Sequence, residues 1–133
     1  MFEGTPLLTG HALFIMRDHR SLHAWQESRA VALGIIDLAR MSWKPYASAL
    51  FSQLQRASLS AQLNVAEGYA YGPSRSFTRH IAIAYGSAVE TGELLELAVD
   101  ANIVAGHVVD HLLQRNRRSQ RLLLGMLRRL RSG

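Results

Sequence analysis

Cysteine is absent from all 133 residues, which removes disulfides, thiolate metal sites and cysteine nucleophiles together. The same absence fits a reducing compartment. Only three prolines interrupt the chain, and no stretch alternates apolar and polar residues as a strand does. A folded, mostly helical protein follows from 48% hydrophobic residues, and the length suits one domain with a real core. The N-terminus lacks a basic region ahead of an apolar one, so it does not read as a secretory signal. The longest apolar runs, such as Ala12–Met16, are far too short to span a bilayer. A cytoplasmic protein that does not enter the membrane is expected. Lysine is almost missing as well: fourteen of the fifteen basic residues are arginine, for a net charge of +5. Half of the arginines fall from Arg115 onward, and no acid follows Asp110. Such asymmetry points to an anionic partner.

What is present is helical periodicity. Residues 1–17 carry Gly and Pro without a helical period and read as an N-terminal arm. Two readings fit it: a segment packed on its own bundle or a neighbouring subunit, or a partly ordered tail. Residues 18–133 read as one bundle domain. The first helix is expected from Asp18 or Ser21, either of which can cap it, to about Met41. Its core side holds Leu22, Trp25, Ala32, Ile36 and Ala39, with Arg20, Glu27 and Asp37 facing out. Pro45 suits the first turn of a second helix reaching about Ala70. Gly72, Pro73 and Ser74 end that helix and cap a third, to about Ala101. A fourth, from about Ile103 to Leu130, sets Val104, Val108, Leu112, Leu123, Met126, Leu127 and Leu130 against a basic opposite side. Four long helices with short connections imply an all-α, up-down-up-down four-helix bundle.

The second helix is the centre of this reading. At about 100° per residue, Gln53, Arg56, Ser60, Asn64 and Glu67 share one narrow polar stripe while apolar residues cover most of the rest. A helix apolar nearly all round is buried on more than one side, and one bundle core covers only one of them. The third helix repeats the pattern: Phe77, Ile81, Ala84, Ala88, Leu95 and Val99 form one face, and Ile83, Leu94 and Leu97, with Ser87 and Glu90 among them, form another. The stripe of Arg56, Ser60, Asn64 and Glu67 is therefore expected to be buried against Ser87 and Glu90 and to fix register and subunit number. A homo-oligomer is expected.

The run from Arg56 to Gly68, holding Ser60, Asn64 and Glu67, is followed by Phe77, Arg79, Ile83, Ala84, Gly86, Ser87 and Glu90. Together these resemble the signature of the small four-helix-bundle proteins known as 23S rRNA intervening-sequence proteins. The resemblance begins near Leu22 and Trp25 and runs to the last helix, leaving the arm outside. It implies a homopentamer of bundles forming a barrel around a central channel. It also brings in a protein similar in fold and assembly, the accessory variability determinant of diversity-generating retroelements, which partners a reverse transcriptase and nucleic acid. The family carries no catalytic residues; Ser60, Asn64, Glu67, Ser87 and Glu90 read as assembly residues.

Other signals divide between function and plain solvation. Arg117, Arg118, Arg121 and Arg128 lie along one face of the fourth helix, where they can grip phosphates of RNA or DNA or simply favour the helix C-terminus. No aromatic residues interleave with them to stack bases. His107 and His111 stand one turn apart near Asp110, but a third ligand is missing and a surface pair is the commoner arrangement, so no metal is expected. Glu90, Glu93 and Glu96 spread too widely around the helix to form a catalytic pair, and Gly86-Ser87 lacks a nucleophile elbow. The sequence thus predicts a non-enzymatic scaffold or adaptor without cofactors, engaging nucleic acid or a nucleic-acid-handling protein through the basic face. A purely protein–protein structural module is the alternative.

Overall fold

The computed structural model describes residues 18–132; the arm proposed over residues 1–17 lies outside them. Four helices fill the described chain: α1 (His23–Ser42), α2 (Ser48–Ala70), α3 (Arg75–Asp100) and α4 (Gly106–Ser132), with 3-10 turns at His19–Ser21 and Pro45–Ala47. Among the described residues there is no strand. Each helix packs on its sequence neighbours and α1 closes the ring against α4, giving an all-α four-helix bundle.

The helix ends show why the expected boundaries shift. Asp18 does cap, but it caps the 3-10 turn: its carboxylate accepts from the Arg20 amide at 3.0 Å. That hydrogen bond holds the Asp18 carboxyl below its usual range. Leu22 is then extended, and α1 starts one residue later without a side-chain cap. Lys44 is extended ahead of Pro45, as sterics before proline require, and its Nζ donates to the carbonyls of Ser42 and Ile103. One lysine thus ties the α1–α2 and α3–α4 connections together. Ser74 caps α3 by accepting from the Phe77 amide.

The fourth helix begins later than Ile103 because residues 102–104 are occupied in ending α3. Asn102 takes φ 59°, and the amides of Asn102 and Ile103 donate to the carbonyls of Val99 and Ala98. This is a Schellman termination with Asn in the left-handed position that Gly usually fills.

The interior consists of two apolar halves. One gathers Trp25, Val65, Phe77, Ile81, Ala84, Leu123 and Leu127; the other gathers Val31, Ile35, Phe51, Leu54, Leu95 and Val109. Between them lies a layer of small buried polar residues from all four helices: Ser28, Ser58, Thr91, Asn116 and Ser119. Ser28 and Ser119 hydroxyls meet at 3.1 Å. Ser28 and Thr91 also donate to carbonyls one turn back in their own helices, Ala24 and Ser87. The Asn116 amide crosses from α4 to donate to the Ala88 carbonyl at 2.9 Å. Gly92 permits that approach, since a Cβ there would sit 3.1 Å from Asn116 Nδ2.

Three sequence expectations are corrected here. Val108 is exposed and Val109 is buried, because the buried line of α4 runs through Asn116 and Ser119, which apolar spacing does not count. Ile36 is only half-buried while Ile35 is fully enclosed. Glu27, expected to face out, is buried against α4.

α2 and α3 approach closely at Gly68, where an added Cβ would stand 2.7 Å from His80 Cβ and 3.1 Å from the Phe77 ring. Gly68→Ala is expected to lower unfolding free energy by about 1–3 kcal/mol, because neither neighbour is a mobile chain end. Gly34 makes the control. Its Cβ would meet only the tip of Leu112, and the gain in helix propensity, up to ~1 kcal/mol, offsets the shift. Urea denaturation of the two variants checks the contrast; equal midpoints would contradict it.

Candidate functional site

The α2–α3 contact carries a polar seam assembled from both helices. Ser60 and Ser87 hydroxyls meet at 2.8 Å. One turn on, Asn64 Nδ2 donates to the Ser60 carbonyl at 2.9 Å and to the Ser60 hydroxyl at 3.2 Å. The carbonyl fixes the amide's orientation, since a flipped Asn64 would point oxygen at oxygen. Asn64 Oδ1 therefore faces His80 Nδ1 at 2.8 Å and, accepting only, requires the proton to reside on that nitrogen. Ser60 Oγ accepts from Asn64 and keeps a second lone pair and its proton, so either hydroxyl of the Ser60–Ser87 pair can donate to the other. Glu67 Oε2 lies 3.9 Å from His80 Nδ1, and Tyr71 stacks on the His80 ring. At the other end Gln53 donates to Glu90 at 3.1 Å.

The expectation of a buried stripe needs correcting in the single chain. Ser60, Asn64 and Ser87 are half-buried, whereas Arg56, Glu67 and Glu90 are exposed. Arg56 makes no ion pair among the described residues. The physical reason is geometric: the seam lies on the outer side of the α2–α3 pair, where no further helix among the described residues covers it. Exposed apolar side chains flank it: Leu59 and Leu63 on α2, Ile83 and Leu97 on α3. Leu63 is 52% exposed and Ile83 44%, well outside the core. His80 was missed by the sequence reading. Its spacing in α3, three residues after the core Phe77, gave a signal, but a lone histidine points to no partner until the helices are packed.

The basic face of α4 is partly neutralised. Arg117 lies 3.6 Å from Glu96 of α3, and Arg118 lies 3.6 Å from Glu27 of α1. Arg115, not singled out before, donates to the same Glu27 at 3.0 Å. Arg121 and Arg128 make no ion pair among the described residues. A helix with no acid of its own after Asp110 must draw its counter-charges from neighbouring helices, and that signal was available in the sequence. Charge reversal at Arg118, harmless on a solvated face, would set two carboxylates against each other beside α1.

His107, Asp110 and His111 are all exposed, and among the described residues no group of three His, Asp or Glu side chains is placed to hold a metal. No described helix is long and apolar enough to cross a membrane.

A search of curated proteins finds no match to the sequence. The model of one protein family, described as 23S rRNA-intervening sequence protein, matches residues 20–125, a stretch that takes in the seam, the whole of α1 to α3 and most of α4, and the chain belongs to that family.

Proposed function

We propose that this protein is a non-enzymatic, cytoplasmic scaffold that assembles with copies of itself through the outer faces of α2 and α3. The observation that carries the reading is the uncovered apolar surface of Leu59, Leu63, Ile83 and Leu97 around a hydrogen-bonded seam. Contiguous exposed apolar surface rimmed by polar groups is typical of protein interfaces, and a seam with fixed donors and acceptors favours one docking register over others. Five copies in a closed ring is the number that the family resemblance implies. Each copy then presents an α4 basic face to RNA, DNA or a protein that handles them, so that weak contacts multiply by avidity.

A second reading, a structural protein–protein module without nucleic-acid affinity, is favoured by one observation. Glu96 and Glu27 already answer Arg117 and Arg118, two of the four arginines assigned to the basic face.

Native mass spectrometry on protein purified without nuclease is expected to give a five-chain mass with bound nucleic acid. A clean five-chain mass would favour the second reading, and a monomer would remove the interface on which both depend.

A further inference from the structure

Glu27 is the most enclosed acid on the α1–α4 edge, with a side chain only 12% exposed. Its two oxygens are divided between two arginines of α4, each approached through Nε: Arg115 at Oε1 and Arg118 at Oε2. A guanidinium carries five N–H donors, so contact through Nε leaves the terminal nitrogens of both forks without a protein acceptor among the described residues. Arg121 stands one turn further along α4, with no ion pair among the described residues. These side chains, with His111 and Gln114, line an open groove of about 400 Å³. Three arginines against one carboxylate leave the groove with two positive charges in excess.

We infer that this groove is a phosphoryl-binding site in which Arg115, Arg118 and Arg121 hold the oxyanions and Glu27 is a positioning residue. The planar fork of arginine matches phosphate oxygens in pairs. A free arginine must surrender side-chain freedom to do this, whereas Glu27 has already fixed two of the three forks. The rise from Arg115 to Arg121 is about 9 Å, farther than the oxygens of one phosphate can bridge. The groove therefore suits a run of phosphates better than a single one. The inference rests on the nucleic-acid reading above only for the source of the phosphate, a polynucleotide backbone rather than a small phosphorylated compound.

The test turns on a sign. Glu27→Gln keeps the shape of the side chain and adds one positive charge to the groove. A diffuse cationic surface would bind polyanions more tightly after that change; a buttressed site binds them less tightly. Binding of the full chain to a labelled single-stranded RNA of about 20 nucleotides is measured by anisotropy at low salt, and inorganic phosphate is titrated separately by calorimetry. Glu27→Gln is expected to weaken RNA binding roughly tenfold, as is Arg121→Gln, which should also lower the salt slope by about one.

Weakening on RNA supports the site with a polynucleotide as its source. Phosphate binding that weakens in Glu27→Gln, with no RNA bound by the parent protein, supports the site but removes the nucleic-acid reading of α4. Equal or tighter binding by Glu27→Gln overturns the inference, as does no binding of either probe. Should Glu27→Gln fail to fold, Arg121→Gln decides alone, because Arg121 supports no other side chain; unchanged affinity there overturns the site.

Discussion

Replacing Leu63 and Ile83 together by glutamate is expected to yield a folded bundle that no longer self-associates. Both side chains stand on the outer faces of α2 and α3, about half exposed, and neither belongs to either apolar half of the interior. Exposed helix positions accept glutamate with little effect on the fold. At an interface between copies the same change is severe: an unpaired charge removed from water costs several kcal/mol, and symmetry repeats it at every contact. Native mass spectrometry should show the oligomer replaced by a single-chain mass, with the helical circular dichroism unchanged. Retention of the parental mass would exclude this face from self-association, and loss of helical signal would mean that the two residues support the single bundle after all.

Leu95→Ala is expected to lower unfolding free energy by about 2–5 kcal/mol, a large share of the roughly 5–15 kcal/mol typical of a domain. Leu95 is fully enclosed, in the apolar half that also holds Ile35, Phe51, Leu54 and Val109. Truncation there leaves a cavity that helices tied at both connections cannot easily collapse. Urea denaturation is best performed in the Leu63/Ile83 double variant, where subunit dissociation does not contribute to the measured transition. A loss below about 1 kcal/mol would mean that the half of the core around Leu95 repacks freely.

The helices were legible from sequence because their apolar spacing and breakers agree: Phe77, Ile81, Ala84, Ala88 and Leu95 line the interior as their period requires. What escaped was polar. Glu27 stands apart from any polar stripe, so periodicity set it outside, whereas its burial is made tolerable by Arg115 and Arg118 from a helix 88 and 91 positions away in sequence, the first joined to it by a hydrogen bond. Ser28 and Thr91 escaped for a different reason. Each satisfies its hydroxyl within its own helix, one turn back, so burial costs little and leaves no trace in periodicity. The stripe on α2 shows the converse. Ser60 and Asn64 find their partners across the seam, yet Arg56 and Glu67 stay in water, since two-sided apolarity says that a second side exists and not what covers it.

The polar layer midway along the bundle has a consequence for assembly. Above and below it the packing is largely apolar, from alanine to Trp25, Phe51 and Phe77, so a slide of one helix by a turn is opposed there mainly by shape and not by directional bonds. The layer forbids the slide: moved by one turn, Asn116 would leave the Ala88 carbonyl for an apolar slot and Ser119 would lose Ser28, at about 1–3 kcal/mol for each stranded group. It acts as an index mark by which four interchangeable rods are set to one height. Features on the outside inherit that setting, so the α2–α3 seam and the arginine groove on α4 keep one height relative to each other, as the proposed assembly requires. A ring of identical subunits closes only if every member presents its edges at the same height, and a handful of small hydroxyl and amide groups in the interior are what hold this chain to that alignment.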